Sequence, residues 1–96
     1  MNKIHYFFID IPKEYIQQFI LEYLTCVTEP VIIKEFYECK YFEGRYVAIL
    51  NDLNLNYDEI DFIVDWCRNN NIHCECNIEE GSLTNLLSTT GKSILE

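Results

Sequence analysis

Residues 31–50 read VIIKEFYECKYFEGRYVAIL. Two runs rich in β-branched and aromatic residues, Val31–Phe42 and Arg45–Leu50, flank the pair Glu43-Gly44. A glycine free to take positive φ between two such runs is a hairpin signal, so the stretch predicts two neighbouring antiparallel strands. What lies on either side of that hairpin decides the fold.

On the amino-terminal side, Ile16, Phe19, Ile20, Tyr23, Leu24 and Val27 recur at steps of three and four. That spacing predicts an amphipathic helix from Lys13 to about Val27. Pro12 suits its first turn, and Pro30 ends the link to the hairpin. Ahead of it, Lys3–Asp10 (KIHYFFID) is short and apolar on both faces, which predicts a central strand. On the carboxy-terminal side, Asn56 followed three residues later by Glu59 has the spacing of a capping box. It predicts a second helix from Tyr57 to about Asn69. The run Asn69-Asn70-Asn71 supplies the stop, because asparagine tolerates the left-handed conformation at a helix end. Ile72–Ile78 (IHCECNI) then alternates, with Ile72, Cys74, Cys76 and Ile78 on one side, as a half-exposed strand does.

The predicted order is strand, helix, strand, strand, helix, strand. The fold class it predicts is α+β, a βαββαβ ferredoxin-like two-layer sandwich. Right-handed crossovers give an antiparallel sheet of order 4-1-3-2 with both helices on one face. Residues 1–79 form the single expected domain. Residues 80–96 are a polar extension in which Leu83, Leu86 and Leu87 offer a short helix packed on the domain. Phe36, Phe42 and an aromatic residue of the first strand are expected on the open sheet face, to be covered by the tail, a second copy or a partner. The fold itself carries almost no functional information.

Charge narrows the function. The 96 residues carry a net charge of −9. Residues 51–96 hold nine acids against Arg68 and Lys92 alone. Such a field repels nucleic acid and anionic membranes and favours encounter with a basic protein surface. No apolar run approaches the roughly 18 residues of a membrane span. The start, MNKIHYFFID, reads as a strand rather than a targeting segment, and the chain as cytoplasmic.

Five cysteines, an odd number without regular spacing, argue against a disulfide framework and for small core residues. Cys67, His73, Cys74 and Cys76 are a conceivable ligand group. They lack a CxxC spacing, and His73 alternates to the other face, so no metal or other cofactor is expected. A grouping of Cys, His73 and Asp10 is the only conceivable catalytic one. A lone strand histidine is more often ordinary, and no enzyme is expected.

The most informative stretch is residues 57–66, YDEIDFIVDW, with four carboxylates and no base. On a helical wheel Ile60, Ile63, Val64 and Cys67 form the buried stripe. Asp58, Phe62 and Asp65 lie opposite, with Asp61 and Trp66 on the flanks. Asp58 and Glu59 gain from the helix dipole, by about 0.3–1 kcal/mol each. Asp61 pairs only poorly with Arg68, seven residues away, Asp65 gains nothing from the dipole, and Asp58, Asp61 and Asp65 repel one another. A solvated face explains part of this pattern. A partner-binding face of Asp58, Asp61, Phe62, Asp65 and Trp66 explains the rest, as aromatic anchors ringed by charge. The expectation is a small acidic protein that binds and inhibits a basic partner, as immunity or antitoxin proteins do to nuclease and other nucleic-acid-handling toxins. The alternative is a ferredoxin-like regulatory domain that dimerises through its open sheet face and binds a small molecule.

Overall fold

The structure is a computed structural model that describes residues 3–50, 56–80 and 90–96. Its elements are β1 (Lys3–Asp10), α1 (Ile16–Cys26), β2 (Phe36–Cys39), β3 (Arg45–Leu50), α2 (Tyr57–Asn69), β4 (Cys74–Glu80) and β5 (Thr90–Ser93). Short 3-10 segments, Lys13–Tyr15 and Ile32–Glu35, precede α1 and β2. The architecture is α+β, with two helices and one antiparallel five-stranded sheet of order β4-β1-β3-β2-β5. No described helix is long and apolar enough to cross a membrane.

The four-stranded order expected from the sequence is therefore corrected to a five-stranded one. The added strand comes from the carboxy-terminal extension, where Tyr37 pairs with Ser93 and Cys39 with Thr90. Ile94 N–H donates to Phe36 O (2.9 Å), and the Ile94 side chain is buried in the core. The helix expected around Leu83, Leu86 and Leu87 lies outside the described residues.

β1 is central, as its two apolar faces predict. Phe7 and Ile9 point to one side and join Ala48, Leu50, Phe36, Phe19, Tyr23, Ile63 and Cys67 in the main core. Both helices pack against that side. Tyr6 and Phe8 point to the other and form a second cluster with Val47, Cys39 and Ile49. The aromatic residues of β1 on the face away from the helices are thus Tyr6 and Phe8, in edge-to-face contact at 4.9 Å, and Arg45 lies over both the Phe8 and Phe42 rings. Phe36, expected there, is fully buried beneath the helices.

The predicted strand Val31–Phe42 is also shorter than expected. Ile32 and Ile33 are consecutive and both fully buried in the same main core, whereas a strand would turn them to opposite faces. A helical turn puts Ile32, Ile33 and Phe36 on one side, and the chain takes that form first. The hairpin turn falls where expected. Gly44 adopts φ +82°, Arg45 N–H donates to Phe42 O (3.2 Å), and Gly44 O accepts from Ile11 N–H (2.9 Å). Arg45 is clamped on the sheet by a forked pair with Asp10 (2.8 and 3.2 Å) and lies over the Phe42 ring at 4.8 Å.

Candidate functional site

The acidic stretch forms α2, and its ends are built as the sequence indicates. Asn56 is extended and its Oδ1 accepts from Asp58 N–H (3.1 Å). At the other end Asn71 takes φ +57°, its N–H donates to Arg68 O (3.3 Å), and Ile72 N–H donates to Cys67 O (2.7 Å). This pair of bonds around a left-handed residue is the Schellman closure of a helix.

The second half of the capping box is absent. Glu59 does not reach back to Asn56; it turns inward and is 0% exposed. Its Oε1 accepts from the Tyr23 hydroxyl on α1 and from the backbone N–H groups of Val31 and Ile32 (2.9 Å each). Its Oε2 is buried and meets no donor among the described residues. One carboxylate oxygen thereby ties α2 to α1 and to the start of the segment leading into β2. Burial, followed by the hydrogen bond to Glu59 and that carboxylate's charge, pushes the Tyr23 hydroxyl well above its ordinary range.

Because Glu59 points in, the buried face of α2 is not the one expected. Glu59, Ile63, Trp66 and Cys67 are buried, while Ile60 and Val64 are only partly so. The helix is rotated by roughly 60° from the expected orientation, toward α1. Aromatic packing between the helices accounts for this. Trp66 stacks edge-on against Phe19 (4.8 Å), Phe62 against Tyr23 (5.2 Å), and the Trp66 indole N–H donates to Glu22 on α1. Glu59, Ile63, Trp66 and Cys67 stand at i, i+4, i+7 and i+8. That spacing was available in the sequence, and only the charge on Glu59 hid it.

The expected site residues fall into two groups. Asp58, Asp61 and Asp65 are exposed along the outward side of α2, and none forms an ion pair with another described residue. Phe62 is half-buried at the edge of this row. Trp66 is 6% exposed and belongs mainly to the helix–helix contact. Beside the row, a cleft of about 350 Å³ is lined by Val27, Thr28, Glu29, Asn56, Asp58 and Phe62. α1 turns a less charged surface to solvent: Leu24, expected in its buried stripe, is exposed, as is Leu21.

The conceivable catalytic grouping does not assemble around Asp10. Its backbone N–H bonds to His73 O (2.9 Å), but its carboxylate is held by Arg45. His73 Nε2 lies 3.9 Å from Glu75 Oε2. Among the described residues no three His, Cys, Asp or Glu side chains converge as metal ligands would. The cysteines are less uniformly core residues than expected. Cys39 and Cys67 are buried, Cys74 is intermediate, and Cys26 and Cys76 are exposed.

No protein-family model matches the chain, and neither a curated protein nor a solved structure matches it significantly.

Proposed function

We propose that this chain is a small acidic binding protein that docks through the outward face of α2 on a basic protein and inhibits it. The observation that carries this reading is the row Asp58, Asp61 and Asp65, exposed on one helix and in no ion pair with another described residue, even with Arg68 three residues beyond Asp65. Such a row costs the fold a little through mutual repulsion and suits a partner that brings Arg or Lys to it. A nuclease or other nucleic-acid-handling toxin is the class of partner with such a surface, because its substrate cleft must be basic. That makes an immunity or antitoxin role the specific form of the proposal, acting in the cytoplasm.

Phe62 supplies apolar area at the edge of the row. Trp66 acts chiefly by fixing α2 on α1, so that the carboxylates are presented on a rigid support. A ferredoxin-like ancestry of β1 to β4 with the two helices is part of the same reading. It is supported by the order β4-β1-β3-β2, with β5 as an addition at the β2 edge. The test is association kinetics with the partner retained from the native host, comparing the unaltered protein with a variant in which the three aspartates are asparagine. Slower association with a flatter salt dependence supports the proposal, and unchanged kinetics refutes it.

A further inference from the structure

The helix α1 has two apolar sides. Phe19 and Tyr23 are fully buried in the main core, where they meet Trp66 and Phe62 of α2. Gln17, Leu21 and Leu24 follow one another at steps of four and three and face solvent, with Leu21 69% and Leu24 50% exposed. A surface helix ordinarily carries charge on its outer side. Residues 15–28 contain one charged residue, Glu22, and it is turned to α2, where it accepts the Trp66 indole N–H. Leu24 is two positions from Glu22, about 200° around the helix, so the stripe lies on the side of α1 away from α2. The Thr25 hydroxyl, one turn beyond Leu21, donates to Leu21 O (2.7 Å), so covering it strands no donor.

Charge decides what covers this stripe. A basic partner is drawn by carboxylates and gains no such attraction here. Two copies of a chain with a net charge of −9 repel, and they meet at least cost where neither presents a carboxylate. The spacing is also self-complementary. When two α1 helices cross antiparallel about a twofold axis midway between Leu21 and Leu24, Leu21 of each copy faces Leu24 of the other. Steps of four and three are those of a two-helix seam.

We propose that α1 is a self-association surface, and that two copies of this chain form a twofold dimer through Gln17, Leu21 and Leu24. The aspartate row stands on α2 and outside this seam. The dimer therefore carries two rows, and the docking role and the self-association stand or fall separately.

The test is sedimentation equilibrium of the full-length chain from micromolar to millimolar concentration, at physiological and at high salt. A reductant keeps the exposed Cys26 and Cys76 from linking copies. The mass should rise from 11.5 kDa toward twice that value. The rise should come at lower concentration in high salt, because salt screens the repulsion between copies. Docking of a basic partner on the aspartate row responds to salt in the opposite sense. Leu21→Gln with Leu24→Gln should weaken the dimer by about tenfold or more and leave the melting temperature of the dilute protein unchanged. Leu21→Glu with Leu24→Glu should abolish the dimer. A chain that stays monomeric throughout would overturn the proposal and leave the stripe to a different protein. A dimer that weakens as salt rises, or that survives the glutamine pair, would overturn it as well. If the glutamate pair fails to fold, the uncharged glutamine pair decides the matter, since glutamine is a good helix former.

Discussion

The Tyr23 hydroxyl on α1 donates to Oε1 of Glu59 on α2, and the same oxygen receives the amides of Val31 and Ile32. Three segments distant in sequence meet on a single buried atom. Removing it leaves the buried Tyr23 and Ile32 donors and the part-buried Val31 amide unpaired, at about 1–3 kcal/mol for each buried donor. Glu59→Ala should therefore lower stability by about 3 kcal/mol or more in a denaturant titration. Tyr23→Phe removes only one of the three bonds and should cost about 1–2 kcal/mol. Equal and small effects from both changes would mean that the junction does not hold the helices together.

Trp66 and Phe62 separate packing from docking. Trp66 is nearly enclosed, so Trp66→Ala should lower stability by about 3–5 kcal/mol, as buried aromatic truncations do. Phe62 keeps one side exposed beside Tyr23 and should cost about 1–3 kcal/mol in stability. In addition, Phe62→Ala should speed dissociation of a bound partner. A melting curve for each variant, with dissociation rates for Phe62→Ala, checks both statements. A Trp66→Ala variant as stable as the unaltered protein would contradict the packing described.

Stability should fall at alkaline pH, with a definite sign. Burial raises the thiols of Cys67 and Cys39 and the hydroxyl of Tyr23 above their ordinary values. A raised folded-state pKa means that the folded chain keeps a proton that the unfolded chain releases. The associated stability is complete below the unfolded values and is lost as pH rises above them. The loss should begin near pH 8.5–9 from the thiols and steepen near pH 10 from Tyr23, by about 1.4 kcal/mol per pH unit for each group. Tyr23→Phe should remove the Tyr23 part of the steepening. Denaturant midpoints between pH 7 and 11 provide the measurement, and a flat profile would contradict it.

The local signals in the sequence were good guides where the structure is local. The hairpin at Gly44, the cap at Asn56 and the stop at Asn71 all rest on residues within a few positions of one another. What could not be read depends on distant partners. β5 is Thr-Gly-Lys-Ser, with no apolar alternation, and it becomes a strand only because β2 offers an unpaired edge. Ile32-Ile33 resembles a strand until the core asks for both side chains at once. The orientation of α2 cannot be read locally, because the partners that draw the Glu59 carboxylate inward lie 27 to 36 residues away. Asp58, Asp61 and Asp65 are legible as an exposed row because their spacing alone puts them on one side of α2, away from the buried residues.

The charge of the chain also predicts what it will not hold. With a net charge of −9, no shift of DNA or RNA is expected in a gel at physiological salt. A retarded band that weakens as salt rises would reveal a basic surface at odds with the proposed role.

The most direct test of that role is the salt-dependent association rate of the purified host partner with the Asp58→Asn, Asp61→Asn, Asp65→Asn variant. Relief of repulsion offsets the lost dipole interaction at Asp58, so its stability should stay within about 1 kcal/mol of the unaltered protein. Association at low salt should slow by about tenfold or more, and the dependence on salt should flatten. An equally stable variant that associates at the unaltered rate at low salt would show that the acidic face of α2 is solvated surface and not the docking site.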